Sequence, residues 1–90
     1  MRAENAAVVV DGNAAAGILS EIFTGDVTTT IGVCSGCGSS GPLAEAVVEI
    51  DEFAAIVRCR ECTHTMVTVL RGPAETRVVF GTLQELRIST

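Results

Sequence analysis

From Asp11 onward, apolar and polar residues follow two different periods. Ala15, Ile18, Leu19 and Ile22 fall at i, i+3, i+4 and i+7, with Phe23 extending the stripe, which is the spacing of one helix face. The pattern predicts an amphipathic helix over about 13–24. Asp11 or Asn13 would cap its start by accepting from the first free N–H groups, and Gly25 would end it in the left-handed conformation. Gly17 costs on the order of 1 kcal/mol relative to alanine in a helix interior, so it is expected to serve close approach to a neighbouring strand. From Val27 the period shortens to two. Residues 27–33, rich in Val, Thr and Ile, read as a strand, and 39–42 as a turn. Residues 43–50 set Ala44, Ala46, Val48 and Ile50 against Glu45, Val47 and Glu49, the alternation of a half-buried strand. Asp51 and Glu52 mark a bend, and 54–59 return as the partner strand. Residues 63–71 place His64, Met66, Thr68 and Leu70 on one face and Thr65, Val67 and Val69 on the other. Both faces are partly apolar, as in a central strand covered on one side by the helix. Gly72-Pro73 turns the chain, 76–80 form a further strand, and 83–88 a last short strand or helical turn. Residues 1–10 read as a flexible arm, and 11–90 as a single domain. The expected fold class is a small α+β protein, an antiparallel sheet with one N-terminal amphipathic helix packed on it.

Four cysteines change this picture. Cys34-Ser35-Gly36-Cys37 and Cys59-Arg60-Glu61-Cys62 are separated by twenty-one residues, and those residues include the predicted hairpin. Two Cys-x-x-Cys pairs brought together at the two ends of a hairpin suit a closed tetrahedral site: four soft thiolates, with no position left for water. The ligands expected are Cys34, Cys37, Cys59 and Cys62, and the ion one Zn²⁺ per chain. Gly36 and Gly38 permit the tight turn in which backbone N–H groups point at sulfur. At the position after the second pair stands Thr63, a β-branched residue that disfavours positive φ, so the second knuckle is expected to be less regular, with fewer N–H contacts to its sulfurs. His64 could replace a cysteine as ligand, but four cysteines already fill the tetrahedron, so it reads as a strand residue or an outer neighbour of the site. Arg58 and Arg60, flanking Cys59, read as cations offsetting the charge of the cluster.

The charge balance narrows the choice of partners. Six arginines, no lysine and eleven acidic residues give a net charge of −5, and four thiolates bring more negative charge than one divalent ion returns. That is a poor match to a phosphate backbone. With no Trp or Tyr and only Phe23, Phe53 and Phe80, the stacking surface that single-stranded nucleic acid needs is thin. No stretch approaches the roughly 20 apolar residues of a membrane span, and paired Cys-x-x-Cys motifs fit a reducing compartment. A cytoplasmic location is expected. At ninety residues a core gives modest stability, so folding is expected to need the metal.

With the Asp11-Gly12-Asn13-Ala14-Ala15-Ala16-Gly17 run added to the knuckles, residues 10–88 resemble a bacterial family of small zinc-ribbon proteins without assigned function. The resemblance implies an antiparallel zinc-ribbon sheet with the helix packed on it. The inter-pair gap is one residue longer than the usual 15 to 20, which a slightly longer hairpin absorbs.

No spacing of Ser, His or carboxylates suggests a triad or an acid/base pair, so no enzyme activity, catalytic residue or small-molecule substrate is expected. The function expected is that of a non-catalytic structural module that binds another protein. The alternatives are a transcription-associated, nucleic-acid-binding ribbon using Arg58, Arg60, Arg71 and Arg77, and a rubredoxin-like iron electron carrier or thiol redox switch partnering an oxidoreductase.

Overall fold

The computed structural model describes residues 8–23 and 26–88. Among the described residues, eight strands and one short helix follow in chain order: β1 (Val8–Asp11), α1 (Ala16–Ile22), β2 (Ile31–Cys34), β3 (Ser40–Pro42), a 3-10 turn (Leu43–Glu45), β4 (Val47–Ile50), β5 (Ala54–Arg58), β6 (Thr65–Arg71), β7 (Thr76–Phe80) and β8 (Leu83–Arg87). They build two antiparallel sheets, one in the order β1-β4-β5-β6-β7 and one in the order β3-β2-β8.

The α+β expectation, a helix packed on one ribbon sheet, is therefore corrected: the protein is mostly antiparallel β in two sheets, with a helix of about two turns. Its backbone is claimed elsewhere at the N-terminal end. Asp11 ends β1, and residues 12–15 form a turn held by Gly12 N–H to Ala46 C=O (2.9 Å), Asn13 N–H to Ala44 C=O (3.0 Å) and Ala14 N–H to Asp11 Oδ1 (2.8 Å). Asp11 thus caps this turn rather than α1, whose N-cap position is Ala15 with no side-chain hydrogen bond. Gly25, the expected helix stop, lies outside the described residues. Of the expected arm, residues 1–7 also lie outside them, and Val8–Asp11 pair with β4.

The distinctive glycine-alanine run now has a physical account. A Cβ at Gly12 would overlap the carbonyl oxygen of Leu43, whereas a Cβ at Gly17 would meet nothing within 4 Å. The close-approach glycine is Gly12, and it approaches the 3-10 turn, not a strand.

The core lies on one face of the five-stranded sheet. Val48, Val57, Val67 and Val69 meet Leu19, Ala15 and Phe23 from the helical segment and Leu43 from the 3-10 turn. Residues 27–33, expected to be one strand, split into a turn, capped by Asp26 Oδ1 accepting from Thr28 N–H (2.8 Å), and the shorter β2. Residues 40–42, expected to be a turn, pair with β2, and 83–87 are a strand that pairs with its other edge. A register shift opposite Val57 and Arg58 leaves Met66 and Val67 both buried, the two-against-one pattern of a β-bulge. Strict alternation therefore fails at Met66. Val67 joins the main core, while Met66 joins a second cluster with Cys34 and Cys59.

The opposite face of the large sheet is half-exposed. Cross-strand pairing lines up Val9, Glu49, Ile56, Thr68 and Val79 in one row over all five strands, and none of them is buried. Among the described residues no helix is long and apolar enough to cross a membrane.

Candidate metal centre

Each cysteine pair sits where a strand ends and turns. Cys34 is the last residue of β2, and Cys59 follows β5 directly. The two turns are built alike. Gly38 N–H donates to Cys34 C=O (2.7 Å) and Thr63 N–H to Cys59 C=O (2.9 Å); Cys34 N–H donates to Ser39 C=O and Cys59 N–H to His64 C=O, both at 2.9 Å. Gly38 (φ +80°) and Thr63 (φ +64°) both take the left-handed conformation that closes the loop.

The expectation for Thr63 is corrected here. The second knuckle is as regular as the first, because the two bonds that close it, Thr63 N–H to Cys59 C=O and Cys59 N–H to His64 C=O, hold a β-branched residue where glycine fits better. Gly36 N–H donates to Cys34 Sγ (3.3 Å), and in the second knuckle the Cys62 and Glu61 N–H groups favour the Cys59 thiolate and the His64 N–H that of Cys62.

The turns meet because the sheets are joined behind them. Gly81 N–H donates to Met66 C=O, Thr82 N–H to Thr65 C=O and Ser35 N–H to Thr82 C=O, with N···O distances of 2.8, 3.0 and 2.8 Å. The β7–β8 connection thus ties the start of β6 to the first knuckle. The result brings together all four predicted residues, free thiols whose Sγ atoms lie within 4.8 Å of one another. Cys34 Sγ is 3.6 Å from Cys62 Sγ, and Cys37 Sγ is 3.7 Å from Cys59 Sγ. A tetrahedron with metal–sulfur bonds of about 2.3 Å has sulfur–sulfur edges of about 3.8 Å. The donor set and its spacing fit a four-coordinate metal ion.

Electrostatics favour a cation at the centre. Burial opposes the Cys59 thiolate, but the Ser39 hydroxyl, the Cys62 and Glu61 N–H groups and Cys37 outweigh it and bring the thiol down to about 6. At Cys34, burial is likewise outweighed by the Thr82 hydroxyl, the Cys37 and Gly36 N–H groups and Cys62, which hold the thiol below its usual range. Cys62 goes the other way. The His64 N–H favours its thiolate, but burial and the three neighbouring sulfurs prevail and push it up to about 12. Without a cation, the last proton has nowhere better to go.

The chain's sequence pattern matches that of a family of unknown function, DUF6510, over residues 3–90. The chain belongs to that family. No curated protein and no solved structure matches it.

Around the sulfurs stand side chains of unequal legibility. Ser39 Oγ lies 3.1 Å from Cys37 Sγ and 3.5 Å from Cys59 Sγ. His64 Nδ1 lies 3.1 Å from Cys62 Sγ, in the outer position expected of it. Thr82 Oγ1 lies 3.2 Å from Cys34 Sγ. Ser39 and His64 occupy the same offset, two residues after the second cysteine of each pair, a signal that would have singled out Ser39. Thr82 is forty-eight residues from Cys34, and no local pattern announces it.

Arg58 is engaged by groups other than the sulfurs. Its guanidinium grips the Glu49 carboxylate (3.1 and 3.5 Å) and also donates to Thr65 Oγ1 (3.2 Å) and Thr63 C=O (3.4 Å). It therefore braces the second knuckle from the outer sheet face. Arg60 is exposed. Arg71 and Arg77 sit at the far end of β6 and on β7, roughly 20 Å from Arg58 at about 3.4 Å per strand residue, so the four arginines do not converge.

A cavity of about 60 Å³ adjoins the sulfurs, lined by Gly32, Pro42, Arg60 and Met66 among others. Ligand pockets typically measure about 300 to 1,000 Å³.

Proposed function

We propose that one Zn²⁺, held by Cys34, Cys37, Cys59 and Cys62, is a structural staple between the two sheets, and that the module so held binds another protein without catalysing a reaction. The observation that carries the staple is the placement of the pairs: one closes β2 of the small sheet and the other closes β5 of the large one, with sulfurs 3.6 and 3.7 Å apart across the pairs. All four tetrahedral positions are taken by protein donors, the arrangement of a structural rather than a catalytic zinc site. Zinc is favoured over iron because the cluster's apolar neighbours are Met66 and Leu83, without the aromatic surround of rubredoxin-like sites.

The protein-binding role is supported by the open face of the large sheet. Val9 and Val79 are 62% and 46% exposed there, beside Ile56. Asp11 and Glu49 share the face with Arg58 and Arg77. A near-neutral apolar face on a chain of net charge −5 suits a protein surface better than a phosphate backbone.

Native mass spectrometry should find one zinc per chain; two ions, or none after loading, would overturn the staple. A protein captured by the wild type and lost with Ile56→Arg and Val79→Arg, both still zinc-loaded, is expected. Salt-sensitive nucleic-acid binding that survives those variants would overturn the protein-binding role.

A further inference from the structure

We infer that His64 is a reserve metal ligand, able to take the fourth coordination position through Nδ1 when Cys62 cannot. The inference rests on the four-cysteine site and adds a fifth donor to it. In the resting arrangement His64 Nδ1 is 3.1 Å from Cys62 Sγ, and that sulfur is the ring's one side-chain hydrogen-bond partner among the described residues. The side chain is exposed, so its rotation displaces no core atom. A neutral imidazole with its proton on Nε2 offers a lone pair at Nδ1, and three thiolates with one imidazole form an accepted tetrahedral zinc set.

Gly36 keeps the space open for the ring. A Cβ there would lie 2.9 Å from His64 Nδ1 and 3.4 Å from Cys34 Sγ, so any side chain at residue 36 would press the imidazole away from the cluster. The two knuckles differ in this respect. At the equivalent offset after Cys37 stands Ser39, whose hydroxyl bridges Cys37 and Cys59 but is a poor zinc ligand when protonated. Only the second knuckle therefore carries a spare nitrogen, and Cys62 is the one cysteine whose loss the site can absorb. The staple would then survive capping of the Cys62 thiolate by an electrophile, at the cost of one unit of negative charge in the cluster.

Zinc stoichiometry and affinity, with the visible spectrum of the Co²⁺-substituted protein, test this on the full chain. Cys62→Ala should keep one zinc, with affinity reduced by about 10- to 100-fold, and its cobalt bands should shift from a four-sulfur to a three-sulfur, one-nitrogen pattern. Cys62→Ala with His64→Ala should lose at least a further hundredfold and show no such shift. Cys37→Ala should bind as weakly as that double variant, and adding His64→Ala to it should change nothing. If Cys62→Ala loses zinc equally with or without His64, or shows no nitrogen signature, His64 is a hydrogen-bonding neighbour only and the inference falls while the four-cysteine site stands. If the wild type binds no zinc, the four-cysteine reading itself fails.

Discussion

Thr63 is the residue at which backbone preference and site geometry disagree. Its φ of +64° costs an L-residue about 1–2 kcal/mol, and a β-branched side chain tolerates it poorly. Thr63→Gly removes that strain but makes the unfolded chain more flexible, a loss of about 0.5–1 kcal/mol. It also gives up the short bond from Thr63 Oγ1 to Cys62 C=O (2.6 Å). The zinc-loaded variant is expected to be as stable as the wild type or up to about 1 kcal/mol more so in denaturant titrations. The reverse change, Gly38→Thr, introduces the strain at φ +80° with open space around it, and should cost about 1–2 kcal/mol. A loss above about 1 kcal/mol in Thr63→Gly would mean that the hydroxyl, not the backbone, decides at this position.

The segment of β1 and α1 shows how an element is positioned by its neighbours more than by its own period. Gly12→Ala would drive a methyl into the Leu43 carbonyl and is expected to destabilise by about 3 kcal/mol. Gly17→Ala, facing open space in α1, should gain about 0.5 kcal/mol by reducing unfolded-chain entropy. If the two alanine variants behaved alike, the docking of the turn at 12–15 on the 3-10 turn would be wrong. The apolar stripe is tested separately. Leu19 is fully buried, so Leu19→Ala should cost about 2–5 kcal/mol, whereas exposed Glu21→Ala should stay within about 0.5 kcal/mol. Equal effects in thermal unfolding would place Leu19 outside the core.

At the scale of the molecule, the four cysteines bring together two sheets that also meet through the β7–β8 connection and the shared core, and a metal ion bound among them would hold those sheets. A chelator should therefore unfold the protein or at least release the small sheet, seen as loss of amide-exchange protection in β2 and β8. A chelated protein with unchanged protection would show that the core suffices alone. Acid should act in the same direction. Cys59 has its folded-state value near 6, below the ordinary 9, so its stabilising contribution is fully present above about 9 and is lost as pH falls through about 6. Cys62, pushed up to about 12, has the opposite sign and opposes metal-free folding only above about 9. With limiting zinc, occupancy should hold at pH 8 and fall on acidification, below the metal-free Cys59 value because the ion competes with the proton for sulfur; the cobalt-substituted charge-transfer band reports it. Occupancy that did not depend on pH in acid would contradict that competition.

The sequence by itself determined the parts whose physics is local. The cysteine cluster was legible because two Cys-x-x-Cys pairs suit one shared site, and the strands β4 and β5 because their alternation records one buried face. The stripe of Ala15, Leu19 and Phe23 was legible for the same reason, although the helix itself proved shorter than its period. Only the tertiary structure decided the rest. The pairing of β8 with β2, and hence the second sheet, depends on residues some fifty positions apart, and 83–88 carry no period strong enough to announce it. The bulge at Met66 breaks the alternation from which a face would be read, and the roles of Gly12, Thr82 and Arg58 lie in contacts with distant backbone and side chains. Thr63 is the clearest case: its own preference opposes the conformation it adopts, and the two backbone hydrogen bonds that close its knuckle outweigh it.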